Sequence, residues 1–413
     1  MRRTLHIRPA IQRVLIVAVG IFLAGISCAL KANAATTVEA WGGGTFVSSP
    51  ADYYNWGQSI VPAGLTNAVL VKGGWRHSLA LTDAGNIIHW GDNSFNQGSL
   101  PSGIDYVSVA CGWQHSLALL TNGTVAAAGD DSYGQIETPS GLSNVVAIAC
   151  GYYHSLALKA DGTVVAWGTS TNPAVIGTDP NYGQSLVPAG LSNVVAISGG
   201  GWHNLALLAD GTLRGWGRND FGQASIPAGL SNVVAIGAGA IDDVALKADG
   251  TVVAWGDNYY QETNVPAGLS NVVSVAAGGW HNLALRRDGT VVAWGASGPN
   301  ASTNNIGWGQ NIVPSGLTNV IQIAGGAVNS LALVGNSPPA EQASLVGAGF
   351  STNGFSVSLP TRNGHVYRLE YKTSLTSTTW NTLPLQAGTG GLVLFADPGA
   401  TTRAQRFYRV RQW

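Results

Sequence analysis

A repeated segment constrains the fold of this chain more than any other feature of its sequence. The most regular part of the repeat, His-Ser/Asn-Leu-Ala-Leu, begins at His77, His115, His154, His203 and His281, with divergent copies at Asp242 and Asn329. Successive copies lie 38, 39, 49, 39, 39 and 48 residues apart. A near-constant period of this length, with glycine-rich turns, is typical of propeller blades or of solenoids.

Each repeat predicts three β-strands. In the copy that starts at Asn232, Asn-Val-Val-Ala-Ile is the first strand and Asp-Asp-Val-Ala-Leu-Lys the second. Asp249-Gly250 then forms a tight hairpin turn into the third strand, Val-Val-Ala-Trp-Gly. These strands are apolar at both alternating positions. This pattern predicts sheets that are buried on both faces, as when one blade packs against the next.

The number of elements favours a closed ring. The Leu-Ala-Leu element occurs seven times, and so does the Val-x-Ala-Trp-Gly element, at Trp41, Trp90, Ala128, Trp167, Trp216, Trp255 and Trp294. The repeats open with the Trp-Gly element Val38–Gly42 and end with the Leu-Ala-Leu element Leu331–Gly335. If Val38–Gly42 joins the last blade, every blade is complete and no sheet edge is exposed.

We therefore predict an all-β fold, with a seven-bladed β-propeller over residues 35–335 closed by its N-terminal strand. Whether each blade has three or four strands stays open. We predict a linker over residues 336–342 and a small C-terminal β-sandwich over residues 343–413. Alternation of polar and apolar residues over 365–371 and 406–411 indicates half-exposed strands of that sandwich.

The N-terminus predicts export. A basic stretch from Met1 to Arg13 precedes an apolar run from Val14 to Leu30, and Ala32-Asn33-Ala34 offers a cleavage site. We predict a signal peptide over residues 1–34, with an uncleaved membrane anchor as the alternative. The expected location is secreted, periplasmic or at the cell surface, without membrane attachment after cleavage.

Charge excludes one class of partner. Only 10% of the residues are charged. The first 34 residues hold five of the 20 bases and none of the 21 acids, so the rest of the chain is acidic. Nucleic-acid binding needs clustered Lys and Arg, so we expect no nucleic-acid partner. We expect a monomer.

The two cysteines of the repeats occupy equivalent positions in adjacent blades. Cys111 and Cys150 lie four residues before His115 and His154, where the other repeats carry Gly or Ala. Cysteine fits there as a small apolar residue. Equivalent points of neighbouring blades in a seven-fold ring lie too far apart for a disulfide unless the ring is very narrow. We therefore predict two free thiols.

Motifs for catalysis are missing from the sequence. It contains no Gly-x-Ser-x-Gly, His-Glu-x-x-His or Cys-x-x-Cys and no phosphate-binding loop, so we expect no enzyme activity, cofactor or metal. The repeat histidines His77, His115, His154, His203 and His281 share one register. We assign them to hydrogen bonds that hold the turn between the first two strands.

Two further repeat features receive structural interpretations. The Trp of Ala-Trp-Gly and the aromatic residue before Gly-Gln, as in Tyr133 and Phe221, are assigned to packing between blades. Asp242-Asp243 replaces the usual His-Ser or His-Asn. Two adjacent acids supply too few oxygens for a calcium site, so we favour a solvated or hydrogen-bonded variant of the repeat.

The repeats resemble those of the regulator-of-chromosome-condensation family. The shared features are Gly-x-x-His-Ser-Leu-Ala-Leu, Asp-Gly-Thr-Val-Val-Ala-Trp-Gly and aromatic-Gly-Gln, as in Tyr133-Gly134-Gln135. The resemblance implies a seven-bladed propeller, and the family's eukaryotic founder is a nuclear exchange factor for a small GTPase. The Val-Pro-Ala-Gly-Leu-Ser connector is more similar to a secreted bacterial branch that includes a β-lactamase-inhibitory propeller. That likeness implies a binding protein that acts through surface loops.

One end of the propeller is the predicted binding face. If the strands of a blade run up, down and up, the turn before each repeat His lies at the same end as the exit from Trp-Gly. That end collects the aromatic residues Trp75, Trp113, Tyr152, Tyr153, Trp202 and Trp280. It also collects three insertions, Gly43–Tyr54 (with Tyr53 and Tyr54), Ser170–Pro180 and Ala296–Ile306.

Exposed aromatic residues framed by neutral loops are typical of binding hot spots. The sequence thus predicts an exported, non-enzymatic scaffold that binds a protein through this face. A glycan-binding, lectin-like propeller and an inhibitor of a secreted or periplasmic enzyme are the alternatives. For the aromatic residues themselves, the alternative is that they only plug the central channel.

Overall fold

The computed structural model describes residues 36–43, 55–169, 179–296, 308–336, 345–351, 354–374, 376–400 and 406–413. All the regular elements in these ranges are β-strands, and none of the described residues forms a helix that could cross a membrane. The predicted signal peptide, Tyr53 and Tyr54, most of the three insertions and most of the predicted linker lie outside the described residues.

The repeats form the first 21 strands, in the following order along the chain. They are β1 (Thr37–Gly42), β2 (Ala68–Gly73), β3 (His77–Thr82), β4 (Ile87–Gly91), β5 (Tyr106–Cys111), β6 (His115–Leu120), β7 (Val125–Gly129), β8 (Val145–Cys150), β9 (His154–Lys159), β10 (Val164–Gly168), β11 (Val194–Gly199), β12 (His203–Leu208), β13 (Leu213–Gly217), β14 (Val233–Ala238), β15 (Asp242–Lys247), β16 (Val252–Gly256), β17 (Val272–Ala277), β18 (His281–Arg286), β19 (Val291–Gly295), β20 (Val320–Gly325) and β21 (Asn329–Val334).

These strands form seven three-stranded antiparallel sheets, the blades of the predicted propeller. Blades 1 to 6 are β2–β4, β5–β7, β8–β10, β11–β13, β14–β16 and β17–β19. Blade 7 joins β20 and β21 to β1, with Thr37 opposite Val334 and Gly42 opposite Asn329. The predicted closure of the ring by the N-terminal strand is confirmed.

The middle strand of every blade is buried on both faces, as the sequence pattern predicts. In blade 3, Leu156 and Leu158 pack against Val194 and Val195 of blade 4. The intervening Ala157 belongs instead to the cluster that contains Leu117 of blade 2. Leu-Ala-Leu recurs because the two leucines of one blade pack against the small alanine of the next, as Leu156 and Leu158 do with Ala206.

The C-terminal region forms two small sheets. Its strands are β22 (Val346–Ser351), β23 (Gly354–Pro360), β24 (Val366–Lys372), β25 (Asn381–Thr382), β26 (Gln386–Ala387), β27 (Leu392–Asp397) and β28 (Phe407–Gln412). One sheet has the order β22-β23-β27, and in the other β24 pairs with β25, β26 and β28. The rings of Phe355 and Tyr408 stack between the sheets with centroids 3.9 Å apart, which makes this region a sandwich with its own core.

The sandwich packs against the end of the propeller that carries the Asp-Gly turns, which we call the turn face. The Asn363 side-chain amide donates to the Val107 carbonyl at 3.0 Å, and the Leu385 backbone N–H donates to the Ala160 carbonyl at 2.8 Å. Arg411 Nη1 donates to the Ala209 carbonyl at 3.0 Å. The sandwich thereby covers part of the turn face over blades 2, 3 and 4.

Removing the closing strand tests the ring. Deletion of residues 35–42 from the mature chain should lower the free energy of unfolding by at least about 3 kcal/mol, because the buried Trp41 alone contributes that much. It also exposes the edge of β21. Thermal unfolding of the deleted chain measures the loss, with a chain that begins at Thr36 as the control. Melting temperatures that agree within about two degrees would show that β1 does not close the ring.

Candidate functional site

The strand register brings two sets of residues to one end of the propeller. In blade 1, Gly91 at the Trp-Gly exit lies opposite His77, and in blade 3 Gly168 lies opposite His154. The turns before the repeat histidines and the loops after Trp-Gly therefore share one end, as predicted. We call this end the aromatic face.

A ring of side-chain hydrogen bonds joins the seven blades just below this face. Each bond runs from the first residue of a middle strand to the second residue of the next blade's middle strand. The pairs are His77–Ser116 (2.9 Å), His115–Ser155 (3.1 Å), His154–Asn204 (2.7 Å), His203–Asp243 (2.9 Å), Asp242–Asn282 (2.7 Å), His281–Ser330 (2.8 Å) and Asn329–Ser78 (3.4 Å). We call these bonds the girdle.

The girdle corrects the predicted role of the repeat histidines. We expected each side chain to hold the turn between the first two strands of its own blade. That turn is closed instead by the backbone, as where the Gly112 N–H donates to the His115 carbonyl at 2.9 Å. The imidazole is then available to bind the neighbouring blade.

The partners of the girdle fix the histidine tautomer. Ser155 and Ser330 each donate their only hydroxyl proton to a backbone carbonyl at 2.8 Å, so they accept from His115 and His281. His154 faces the side-chain oxygen of Asn204. In these three histidines, Nε2 must therefore carry the proton.

Burial keeps these imidazoles neutral. It lowers the pKa of His115 and of His281 to about 3, and that of His154 to about 4. The Gly-x-x-His spacing has the same origin, because a Cβ on Gly112 or Gly278 would overlap the imidazole three residues later. The histidines are therefore packed structural donors.

Blade 5 carries the acidic variant of the girdle. The Asn282 side-chain amide donates to Asp242, and Asp243 accepts from His203. Burial raises the pKa of both aspartates, and it raises the pKa of the nearby Glu262 to about 7. Of the two variants left open for Asp242-Asp243, the structure shows the hydrogen-bonded one, and the solvated one is wrong because both residues are buried. The described residues contain no group of three or more His, Cys, Asp or Glu arranged to hold a metal.

The two repeat cysteines are free, as predicted. Cys111 is the last residue of β5 and Cys150 the last residue of β8. The Cys111 thiol donates to the Lys72 carbonyl at 3.7 Å. Burial raises the pKa of Cys111 to about 12 and that of Cys150 well above its usual value. Because a nucleophilic cysteine needs a lowered pKa, these thiols are structural.

The predicted binding aromatics form one packed group, which we call the inner cluster: Trp75, Trp113, Tyr152, Tyr153, Trp202 and Trp280. The rings of Trp75 and Trp113 stack at 4.6 Å. Tyr152 contacts Trp75 at 4.9 Å and Trp202 at 4.8 Å, edge to face. Trp280 contacts Trp75 at 5.2 Å.

The inner cluster is less exposed than we expected. Trp75 is buried, and the other five rings are half-buried because they pack against one another. Under Trp75 and Tyr152 lies a cavity of about 70 Å³, lined mainly by glycine and alanine. Such a volume is far below that of ligand pockets, which begin at about 300 Å³. The cluster therefore plugs the channel, which is the alternative that the sequence analysis left open.

A second set of aromatics surrounds this plug. Every blade junction contributes one residue to it, and we call the set the outer ring: Trp56, Phe95, Tyr133, Tyr182, Phe221, Tyr260 and Trp308. Tyr133 contacts Tyr153 of the inner cluster at 5.0 Å, and Tyr182 contacts Trp202 at 6.5 Å. The two sets therefore form one continuous aromatic surface.

A repeated turn presents each outer-ring residue. The residue that follows the aromatic has a positive φ, as in Gly134 (75°) and Gly222 (78°), which explains the glycine of aromatic-Gly-Gln. The next residue is buried, and its side chain accepts from the backbone N–H of the aromatic residue. For Tyr133 and Gln135 this bond measures 2.8 Å, and for Phe221 and Gln223 it measures 2.9 Å. With the glutamine held inside, the aromatic ring points outward.

Three of the seven outer-ring residues are exposed, against the packing role assigned to them, and the other four are half-buried. Phe95 is 40% exposed, Tyr133 42% and Phe221 45%, while Tyr259, next to Tyr260, is 54% exposed. The Trp of Ala-Trp-Gly does pack between blades, as predicted, and Trp90 donates to the Gln58 carbonyl at 2.8 Å. The signal that sequence reasoning missed is that Gly-Gln marks a turn whose apex is the preceding aromatic residue.

Comparisons with known proteins agree with this architecture. The profile of the regulator of chromosome condensation (RCC1) repeat matches residues 68–97, 106–135, 145–172, 194–223 and 272–298. These segments fall in blades 1, 2, 3, 4 and 6. The chain therefore contains RCC1 repeats in these five blades. No curated protein matches its sequence.

Solved structures agree on the fold. Prp20p from Saccharomyces cerevisiae, studied for its binding to Gsp1p and histones, matches with a TM-score of 0.57 at 21% identity, over 75% of this chain and 93% of Prp20p. The same yeast RCC1 (Prp20), bound to Kap60, gives 0.55 at 21%, over 78% and 97%. Human WBSCR16 gives 0.50 at 20%, over 74% and 99%. Identities this low establish the propeller fold alone.

The girdle makes the stability depend on pH. His115 has a pKa of about 3 in the folded chain and about 6.5 when unfolded, so its contribution is complete above pH 6.5 and declines as the pH falls toward 3. Between pH 7 and pH 5 this histidine alone should cost about 2 kcal/mol of unfolding free energy. Asparagine takes the place of the repeat histidine at Asn329, where its side-chain amide donates the hydrogen bond of the girdle. The amide has no proton that titrates between these pH values, so asparagine is the replacement to test.

Urea unfolding of the native chain and of His115→Asn at both pH values measures this contribution. The loss on acidification should be smaller in the variant by about 2 kcal/mol. Asp242 and Glu262 titrate in the opposite sense, but they are common to both chains and cancel in the comparison. Equal losses in the two chains would mean that His115 does not sit neutral in the girdle.

Proposed function

We propose that this protein is an exported, non-enzymatic scaffold that recognises a protein partner through its aromatic face. The observation that carries the proposal is the exposed part of the outer ring. Phe95, Tyr133 and Phe221 of the outer ring, together with Tyr259 beside Tyr260, present large rings to solvent on a turn that repeats around the propeller. Tyrosine and other aromatic residues carry much of the energy of protein interfaces.

The arrangement of the two ends supports this choice of face. The C-terminal sandwich takes up part of the turn face through Asn363, Leu385 and Arg411. The aromatic face has no such cover among the described residues. The inner cluster gives the outer ring a packed base, so the exposed rings are held in place before a partner arrives. Such preorganisation lowers the cost of binding.

Catalysis finds no support among the described residues. The buried histidines are committed to the girdle, and the thiols of Cys111 and Cys150 are protonated at neutral pH because burial raises their pKa. Prp20p, with the same fold, is studied for its binding to Gsp1p and histones. By analogy of fold alone, we assign this chain to binding and leave its partner to experiment.

Export and cleavage after Ala34 form part of the proposal and rest on the sequence signal. We therefore expect the partner among proteins outside the cytoplasmic membrane. Capture of periplasmic and culture-fluid proteins on immobilised residues 35–413 identifies it. A glycan array run in parallel distinguishes the lectin-like alternative, because a glycan-binding face would give specific signals there.

Substitutions at the outer ring test the face directly. With the captured partner, Tyr133→Ala and Phe221→Ala should each weaken binding by about 2 kcal/mol, because each removes an exposed hot-spot ring. Neither should change the melting temperature appreciably, since both rings are about half exposed. Calorimetric titration measures the affinity. Leu394→Ala, on the sandwich at 61% exposure, is the matched control. A loss in the control and none in the ring variants would place binding on the sandwich.

A further inference from the structure

Charge is divided unequally between the two ends of the propeller. On the turn face, bases balance acids, as where Lys159 lies 3.5 Å from Asp161 and Lys247 lies 3.3 Å from Asp249. The aromatic face is acidic. Among the described residues of this face, six acidic side chains reach the solvent: Asp130, Asp131, Glu137, Asp179, Asp220 and Asp257.

The bases of the aromatic face are already engaged. Among the described residues of its turns and loops these are Arg76 and Arg218. The guanidinium of Arg76 lies 5.0 Å from the centre of the Trp56 ring, and Arg76 is 7% exposed. Arg218 donates through Nε to Asp220 at 2.7 Å. A partner therefore meets carboxylates and aromatic rings.

Arg218 shows how this surface holds a cation. Its guanidinium lies 4.9 Å from the ring centre of Tyr182, 5.1 Å from that of Trp202 and 5.6 Å from that of Phe221. Two of these rings belong to consecutive positions of the outer ring, and Asp220 supplies the countercharge. Stacking on aromatic faces beside a carboxylate is a preferred environment for a guanidinium. We call the space between two consecutive outer-ring residues a slot.

In blades 2 and 5 the equivalent slots carry an acid where blade 4 has Arg218. Asp130 and Asp257 directly follow the glycine of their third strand, as Arg218 does in blade 4. Phe95 and Tyr133 flank the slot of blade 2 by repeat equivalence. The carboxylate of Asp130 is held by the Gln135 side chain at 2.8 Å and by Ser132.

The slot of blade 5 has a second exposed ring beside it, because Tyr259 is 54% exposed. Phe221 and Tyr260 flank it by repeat equivalence, and Tyr259 packs on Tyr260 with ring centres 4.7 Å apart. Burial raises the pKa of the nearby Glu262, and the charge of Asp257 raises it further. Negative charge and exposed rings therefore coincide at this position.

We propose that the aromatic face recognises a basic segment of its protein partner, and that the slots of blades 2 and 5 receive Arg or Lys side chains. This inference rests on the function proposed above and adds the chemistry of the partner. An incoming cation gains attraction from the carboxylate and from the ring faces together. A neutral or acidic segment gains nothing from these carboxylates and must desolvate them.

A tetra-arginine peptide and a tetra-glutamate peptide of equal length are the probes. Titrated into residues 35–413 at low ionic strength, tetra-arginine should bind, and its affinity should fall as salt is raised. Tetra-glutamate should not bind. The double variant Asp130→Asn/Asp257→Asn should bind tetra-arginine about tenfold more weakly, because two charge contacts at partly exposed sites are lost.

The matched control is Asp249→Asn/Asp288→Asn, which removes the same charge from the turn face. It should leave the affinity for tetra-arginine unchanged. Failure of tetra-arginine to bind, equal binding of tetra-glutamate, or an equal loss in the control would each overturn the inference.

The captured partner separates this inference from the proposed function. If Tyr133→Ala and Phe221→Ala abolish its binding while Asp130→Asn/Asp257→Asn and added salt do not affect it, the face binds protein but the partner's segment is not basic. If the ring variants have no effect either, the proposed function itself fails.

Discussion

Hydrogen bonds between the middle strands of neighbouring blades determine how the rest of this propeller is arranged. Each donor or acceptor of the girdle must reach across an interface that is otherwise filled by leucine and alanine. The imidazole of a histidine spans that gap and packs where a glycine leaves room, as Gly112 does for His115. Substitutions within the girdle keep the bond, since Asp242 and Asn329 replace histidine and remain paired.

The aromatic face is built directly on the girdle. His115 donates to Ser155 at 3.1 Å, and Ser155 donates to the Gln135 carbonyl at 2.8 Å. The Gln135 side chain then accepts from the Tyr133 backbone at 2.8 Å. A buried polar network thus ends in an exposed ring. The same donation to the carbonyl of the buried turn residue recurs from Ser78, Asn204, Asn282 and Ser330. Because the Gln135 side chain accepts from the Tyr133 N–H and donates to Asp130, the turn that carries the Tyr133 ring is held without a partner.

Periodicity explains which features the sequence could predict. The repeat fixes strand order, the shared end of His77 and Trp-Gly, and the closing role of Val38–Gly42, because these follow from counting elements. The repeat does not say which blade a side chain reaches. The predicted hydrogen bonds of the repeat histidines, within their own blade, are therefore wrong. The exposure of a side chain depends on how its neighbours pack around it in three dimensions. The sequence therefore predicts an exposed Trp75 and a buried Tyr133, whereas the structure shows the reverse.

The C-terminal region had no such periodic signal. Its strands were predicted from alternation, and Val366–Lys372 and Phe407–Gln412 agree with that prediction. Its packing on the turn face depends on single contacts, such as Asn363 with the Val107 carbonyl, that leave no pattern in a sequence. This contact matters for function because it leaves the aromatic face as the uncovered end among the described residues.

Nitrogen NMR of the chain with ¹⁵N-labelled histidine tests the girdle most directly. Each of His115, His154 and His281 should carry its proton on Nε2 at pH 7, because its partner can only accept. All three should stay neutral at pH 5, below the pKa of an exposed histidine, near 6.5. Protonation of Nδ1 alone, or imidazolium signals at pH 5 in the folded chain, would contradict the inter-blade bonds on which this account depends.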